Sequence, residues 1–336
     1  MYMFKYVMKR LGLMILTFLI IFTMSFVLIK LLPIPTDALP GQSKELVMKT
    51  LEGRGWITNV KHVGNNVYEY DRVPIMLQYG NYIKRIVTEG DFGIVTTYPD
   101  FAKGSPVIEH FKKHLPPTIL INVYSTLIGV PIGLGLGILA ALKKNKWQDQ
   151  VINVFIILLI SVPSIVLALM IQYVFCFRLG WFPLQMATSD AYFTWDVFKT
   201  MIPAVFALCL GSIVGYARYT RAELSEVLTG EFMLLARTKG LTKGQAIARH
   251  AMRNSMVVIF PSILSEFIAV LSGSLIVESM FGVNGVGGLY LKSIQNQDYD
   301  FFMLLSGFYT LISLCASIII DISYGFIDPR IRMGAK

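Results

Sequence analysis

Six apolar runs dominate this chain of 336 residues. Each approaches the roughly 20 residues that a helix needs to cross a hydrocarbon layer about 30 Å thick, where an unpaired backbone cannot be left exposed. They lie at about Leu11 to Ile29, Pro117 to Leu142, Val151 to Phe177, Met201 to Tyr216, Met256 to Val277 and Phe301 to Ile320, the fourth and shortest extending toward Arg218. A composition of 54% hydrophobic and 15% charged residues agrees, because it leaves too little polar surface for a water-soluble protein. The first run follows Lys5, Lys9 and Arg10 as a secretory signal would, yet it is too long for a signal core and lacks a small-x-small site before Pro33, so it reads as a retained anchor.

The net charge of +9 raises the question of nucleic acid, and its distribution answers it. With six spans and the N-terminus inside, the segments 1–10, 143–150, 218–255 and 321–336 hold 16 Lys and Arg against 6 acids, while 178–200 and 278–300 hold 3 against 5. This is the asymmetry of a membrane protein with both termini in the cytoplasm. The segment Lys30 to Pro116 carries 11 basic residues, but a loop of that length is translocated largely regardless of charge. Cys176, Cys209 and Cys315 all fall in apolar stretches, which excludes a disulfide framework and a cysteine-rich metal site.

The long segment between the first two spans reads as a small α/β domain outside the membrane. Trp56 to Val63 and Val67 to Asp71 alternate like strands joined by Gly64-Asn65-Asn66. Pro74 then precedes a helical rhythm through Ile75, Tyr79, Tyr82 and Ile86 that Gly90 ends, and Ser105-Pro106 starts a further short helix with Glu109 near its positive end. Such a domain is either a cover that steadies the spans or a docking surface for an external partner. The boundaries follow as 1–33 for the N-terminal tail and first span, 34–116 for this domain and 117–336 for a five-helix core with a cytoplasmic loop at 218–255.

Within the spans, Gly129, Gly133 and Gly137 make a face that another helix can approach closely, a packing device before it is a site. Pro131 and Pro163 predict kinks or lined cavities. Glu266 is the one ionisable residue near the middle of a span, and it stands either on the wall of a wet cavity or in a hydrogen bond to a neighbouring hydroxyl. The loop 218–255 predicts a helix over Glu231 to Lys239 ending at Gly240, then a second opened by a Thr242/Gln245 capping box, with Arg249, His250 and Arg253 on its polar face. Ala236 and Gly240 would leave a strip for a partner's side chains; the competing reading is an interfacial helix on anionic lipid.

Ala236-Arg237-Thr238-Lys239-Gly240-Leu241 and Arg249-His250-Ala251-Met252-Arg253-Asn254 resemble the cytoplasmic loop of the inner-membrane permease subunits of oligopeptide and dipeptide ABC importers. The likeness extends to Gly90-Asp91-Phe92-Gly93, Leu115-Pro116-Pro117-Thr118, Glu278-Ser279-Met280-Phe281 with Gly285 and Gly287, and Asp321, Tyr324 and Asp328-Pro329-Arg330. Leu234 and Leu235 stand where the broader importer pattern, Glu-Ala-Ala-x-x-x-Gly, has Glu and Ala.

The resemblance implies an all-α polytopic fold of six transmembrane helices, the type I ABC importer permease fold, in a bacterial inner membrane. It implies three kinds of partner besides lipid: a second related permease, two cytoplasmic ATPase subunits and an external peptide-binding protein. Coupling to the ATPases would fall to Glu231, Phe232, Leu235, Ala236, Arg237, Lys239, Gly240, Leu241, His250, Arg253 and Asn254, and the translocation pathway to Glu266, Ser272 and Glu278. The chain has no G-x-x-x-x-G-K-[ST] loop, so ATP and Mg would be bound by the partners, with no catalytic residue, cofactor or metal here. Oligopeptide cargo is expected, with dipeptides, nickel complexes or another small solute as alternatives. A self-contained secondary transporter would show an internal repeat and several intramembrane charges. An intramembrane hydrolase would need a base at membrane depth, whereas His62, His110, His114 and His250 all lie outside the spans.

Overall fold

The computed structural model describes residues 2–36, 43–64, 67–189 and 191–327. Asn65 and Asn66 of the hairpin turn and the Asp328-Pro329-Arg330 motif lie outside the described residues. Five helical stretches are long and apolar enough to cross a membrane: Val7–Leu31, Val107–Leu142, Trp195–Thr229, Lys243–Ser272 and Tyr299–Ser323. A sixth span is a pair, Trp147–Ser161 (α5) and Ser164–Arg178, bent by 99° where Val162 and Pro163 interrupt the helix. The chain is thus a six-span all-α membrane protein with a two-stranded sheet between the first two spans.

Several spans outrun their apolar cores. Helix α4 (Val107–Leu142) begins ten residues before Pro117, so the separate short helix expected at Ser105-Pro106 is instead the first turn of the second span, with Glu109 in that turn. Helix α7 (Trp195–Thr229) absorbs residues 218–229 of the predicted cytoplasmic loop, and there Arg221 makes a two-pronged ion pair with Asp149, 2.6 Å from Nε to Oδ1 and 2.9 Å from Nη2 to Oδ2. The fifth span stops early: helix α10 (Met252–Ala269) ends in a short 3-10 turn, and Gly273, at φ 70, separates it from α11 (Leu275–Met280). A side chain at that φ would be strained.

One compact unit comprises residues 1–113 and 289–311. It contains α1 (Tyr2–Leu31), α2 (Lys44–Gly53), strands β1 (Ile57–Gly64) and β2 (Val67–Arg72), and α3 (Ile75–Glu89), which Pro74 precedes and left-handed Gly90 closes. The strands are antiparallel, pairing Ile57 with Arg72 and His62 with Tyr68, and a bulge between Thr58 and Lys61 places Asn59 at φ 55. Its core joins Phe22, Phe26 and Ile29 of the first span to Met48, Leu51, Trp56 and Tyr82, with Tyr299 and Met303 from the start of α13 (Tyr299–Ile327). The segment between the first two spans thus shares this apolar core with the first and last spans.

The second unit comprises 114–288 and 312–336. Here the glycine face does what its spacing predicts. A Cβ on Gly133 or Gly137 would meet the Ile213 or Ala217 backbone oxygen of α7 at 2.7 Å, closer than real contacts allow, and one on Gly129 would meet the Cys209 oxygen at a tight 3.0 Å. The α4–α7 seam is consequently a backbone-to-backbone contact.

Candidate functional site

Beside this seam runs an open groove of about 770 Å³, walled by α4, α7, α10 and the turn at Gly273. Most of its lining residues carry a hydroxyl or an amide, Asn122, Ser125, Ser212, Ser262, Ser265 and Ser272 among them, although apolar atoms make up the larger part of its surface, and Glu266 is its one charged residue among those described. A hydrogen bond and a place on the lining of the groove meet at Glu266. Ser212 Oγ donates to its Oε1 at 2.6 Å, the length of a charge-assisted bond, and the residue still lines the groove. Nearby, Tyr216 OH donates to Ser262 O at 2.8 Å and ties α7 to α10 at this level. Ser272, the second pathway candidate, is at the groove's end.

Glu278, the third, is not in the groove. Because the span breaks at Gly273, its carboxylate turns inward and is fully buried. Oε1 accepts from Thr118 Oγ1 at 2.9 Å and Ser274 N at 3.3 Å; Oε2 accepts from Gly287 N at 2.8 Å and Gly288 N at 3.3 Å. Thr118 Oγ1 in turn accepts from Val286 N at 2.9 Å. Burial raises the Glu278 pKa above its ordinary value, and these donors oppose the rise without cancelling it. A Cβ on Gly287 would come 2.8 Å from Oε2, and one on Gly285 would collide with Thr118, so the glycines around the motif are there to let backbone N–H groups reach an acid.

The other unit holds a comparable knot that the sequence reading missed. Asp298 Oδ2 accepts from Thr96, Thr97 and Tyr98 N at 2.8, 3.1 and 3.2 Å, and burial again pushes its pKa up against those bonds. Asp300 Oδ2 accepts from Ile94 N, packed so that any Cβ on Gly93 would strike it, while Asp91 accepts from Gly93 N at 2.8 Å and pairs with Arg54 at 2.6 Å. The Gly-Asp-Phe-Gly motif is thus a fold device. Its acidic partner residues lay some 200 positions away, with no local pattern to mark them.

The coupling candidates gather on one surface. Gly230 breaks α7, and α8 (Glu231–Thr238) follows, with Lys239 closing it and Gly240 at φ 90. The capping box forms as expected: Thr242 accepts from Gln245 N, and Gln245 reaches back to Thr242 N. Ala236 is not on a bare strip. It is buried with Met233 against Leu224, Ala246 and Ala251, while Leu241 packs at the edge of that cluster. The exposed apolar face of α8 is instead Phe232, Leu234 and Leu235, flanked by exposed Glu231, Arg237 and Lys239. His250, Arg253 and Asn254 are exposed at the base of α10. Helical spacing accounts for the exchange: with Met233 and Ala236 inward, positions 232, 234 and 235 must face out. Among the described residues no group of three or more His, Cys, Asp or Glu is placed to hold a metal ion.

Residues 133–333 match the family described as binding-protein-dependent transport system inner membrane component. Over nearly its whole length the chain is similar to the dipeptide transport system permease protein DppB of Bacillus subtilis, at 30% identity with 99% of this chain and 100% of the relative covered. It is also similar to the oligopeptide transport system permease protein OppB of Salmonella typhimurium, at 29% identity over 98% and 100%. A solved amino acid ABC transporter shares the fold, with TM-score 0.51, 21% identity, and coverage of 65% of this chain and 94% of that one.

Proposed function

Because the chain belongs to the family of binding-protein-dependent transport system inner membrane components and is a multi-pass permease subunit of such an importer, we propose that its cargo is peptide and that α8 is the point where an ATPase drives it. Full-length likeness to dipeptide and oligopeptide permeases supports the cargo. The observation that carries the coupling is the outward set of Phe232, Leu234 and Leu235 on a helix whose inner side is packed on Leu224 of α7 and on Ala246 and Ala251 ahead of α10.

In this reading the membrane is the bacterial inner membrane, both termini are cytoplasmic, and α8 seats in a groove of an ATPase subunit. Two ATPase subunits bind ATP and Mg; a second permease completes the pathway, and an external binding protein delivers the peptide. A push on α8 reaches Leu224 of α7 and Ala251 at the base of α10 through the small cluster they share. Ser212 lies twelve residues up α7 and Glu266 fifteen up α10. At 1.5 Å per residue, these rigid arms carry the motion about 20 Å to the groove walls. Tyr216 OH on Ser262 O makes the two arms move together. ATPase closure thus biases a two-state bundle between inward and outward access, a rigid-body switch. The pathway residues are Glu266 and Ser272.

The test is a Leu235→Cys variant of the assembled importer treated with a thiol cross-linker. An adduct with an ATPase subunit is expected, and Gly240→Trp is expected to abolish peptide uptake while membrane insertion and ATP hydrolysis persist. Capture of phospholipid alone at Leu235 would return α8 to the role of an interfacial helix.

A further inference from the structure

We infer that Glu266 sets the charge preference of the pathway, favouring peptides that carry a cationic side chain over those that carry an acidic one. The inference rests on the peptide reading above and adds to it a specificity-determining residue.

Eleven of the seventeen residues lining the groove are polar, and among those described no Lys, Arg or His lines it. Hydroxyls both donate and accept, so the serines can match a peptide backbone in any register without reading its side chains. One group breaks that neutrality. Among the described residues the Glu266 carboxylate is bonded by a single hydroxyl, Ser212 Oγ on Oε1, and no cation lines the groove to offset it. Charge of one sign in a cleft with low-dielectric walls focuses the field along the cleft. Unit charges 4 Å apart interact by about 1 kcal/mol at the dielectric constant of water and more as water is excluded. A passing ammonium or guanidinium is therefore stabilised where a carboxylate is repelled, and the single site remains weak enough to release its cargo.

The experiment uses the complete importer in proteoliposomes with its binding protein, and measures ATP-driven uptake of Ala-Lys-Ala and Ala-Glu-Ala. The Lys-to-Glu uptake ratio of Glu266→Gln is divided by that of the native chain, which cancels any preference of the binding protein. We expect this quotient to fall roughly fivefold to tenfold. A quotient near one in an assembled variant would overturn the inference. Ser265→Lys, which brings a cation into the same groove, provides a second variant and must also shift the ratio toward the acidic peptide; no shift would overturn it as well. Uptake of neither peptide by the native chain would overturn the peptide reading itself, and this inference with it.

Discussion

Glu266 and Glu278 are twelve residues apart and belong to opposite kinds of site. Glu278 is sealed, with both oxygens saturated by four donors drawn from α4, α11 and the start of α12 (Val286–Gln295). Glu266 has one hydrogen-bond partner among the described residues, Ser212, and lines an open groove. A buried carboxylate persists only when its lone pairs are used up, so its contribution is to local architecture. One left partly unsatisfied beside a polar cleft is available to something that passes. Saturation of the acid, more than its distance from the membrane's centre, is what distinguishes the two groups.

The sharpest way to break that contrast is to remove each acid. Glu278→Ala strands Thr118 Oγ1 and the N–H groups of Gly287 and Ser274, and is expected to lower stability by about 3 kcal/mol or more. Glu266→Ala, in the open groove, is expected to cost about 1 kcal/mol or less. Thermal unfolding of the detergent-purified complex compares them, and equal losses would erase the distinction. A smaller effect separates the seam from the groove. Gly133→Val on α4 forces the sealed seam apart and should cost about 1–3 kcal/mol, whereas Gly215→Val, which meets nothing within 4 Å on the groove side, should change stability by about 0.5 kcal/mol. Comparable melting temperatures for these two variants would mean that the seam is looser than its geometry.

The smallest effect is a pH dependence. The folded-state pKa of Glu278 is raised above its ordinary 4.5, so the folded protein binds the proton more tightly than the unfolded chain does. Its contribution is fully present below about pH 4.5 and is lost as pH rises through the folded value; Asp298 shifts in the same sense. The stability of the native chain relative to Glu278→Gln should therefore decline as pH rises from 4.5. A flat difference would show that the four donors fully compensate the burial.

Much of this architecture was legible in one dimension. Six apolar runs needed no partner to be recognised, and the Thr242/Gln245 box, the left-handed Gly90 and the close-packed Gly129, Gly133 and Gly137 followed from rules that act within a few residues. Span ends were less legible, because α4 and α7 continue as helix well past the apolar residues that announce them. Ala236 was misread as bare because its neighbours come from α7, α9 (Lys243–Ala246) and the turn before α10, and no local pattern carries that.

What the amino-acid order determined alone was therefore the list of spans and the family, since hydrophobic length and short motifs are properties of consecutive residues. What only the tertiary structure decided was which acid is sealed and which is open, and which face of α8 is outward. Both depend on donors and apolar surfaces brought from distant segments: Thr118 to Glu278 across 160 residues, and Ser212 to Glu266 across 54.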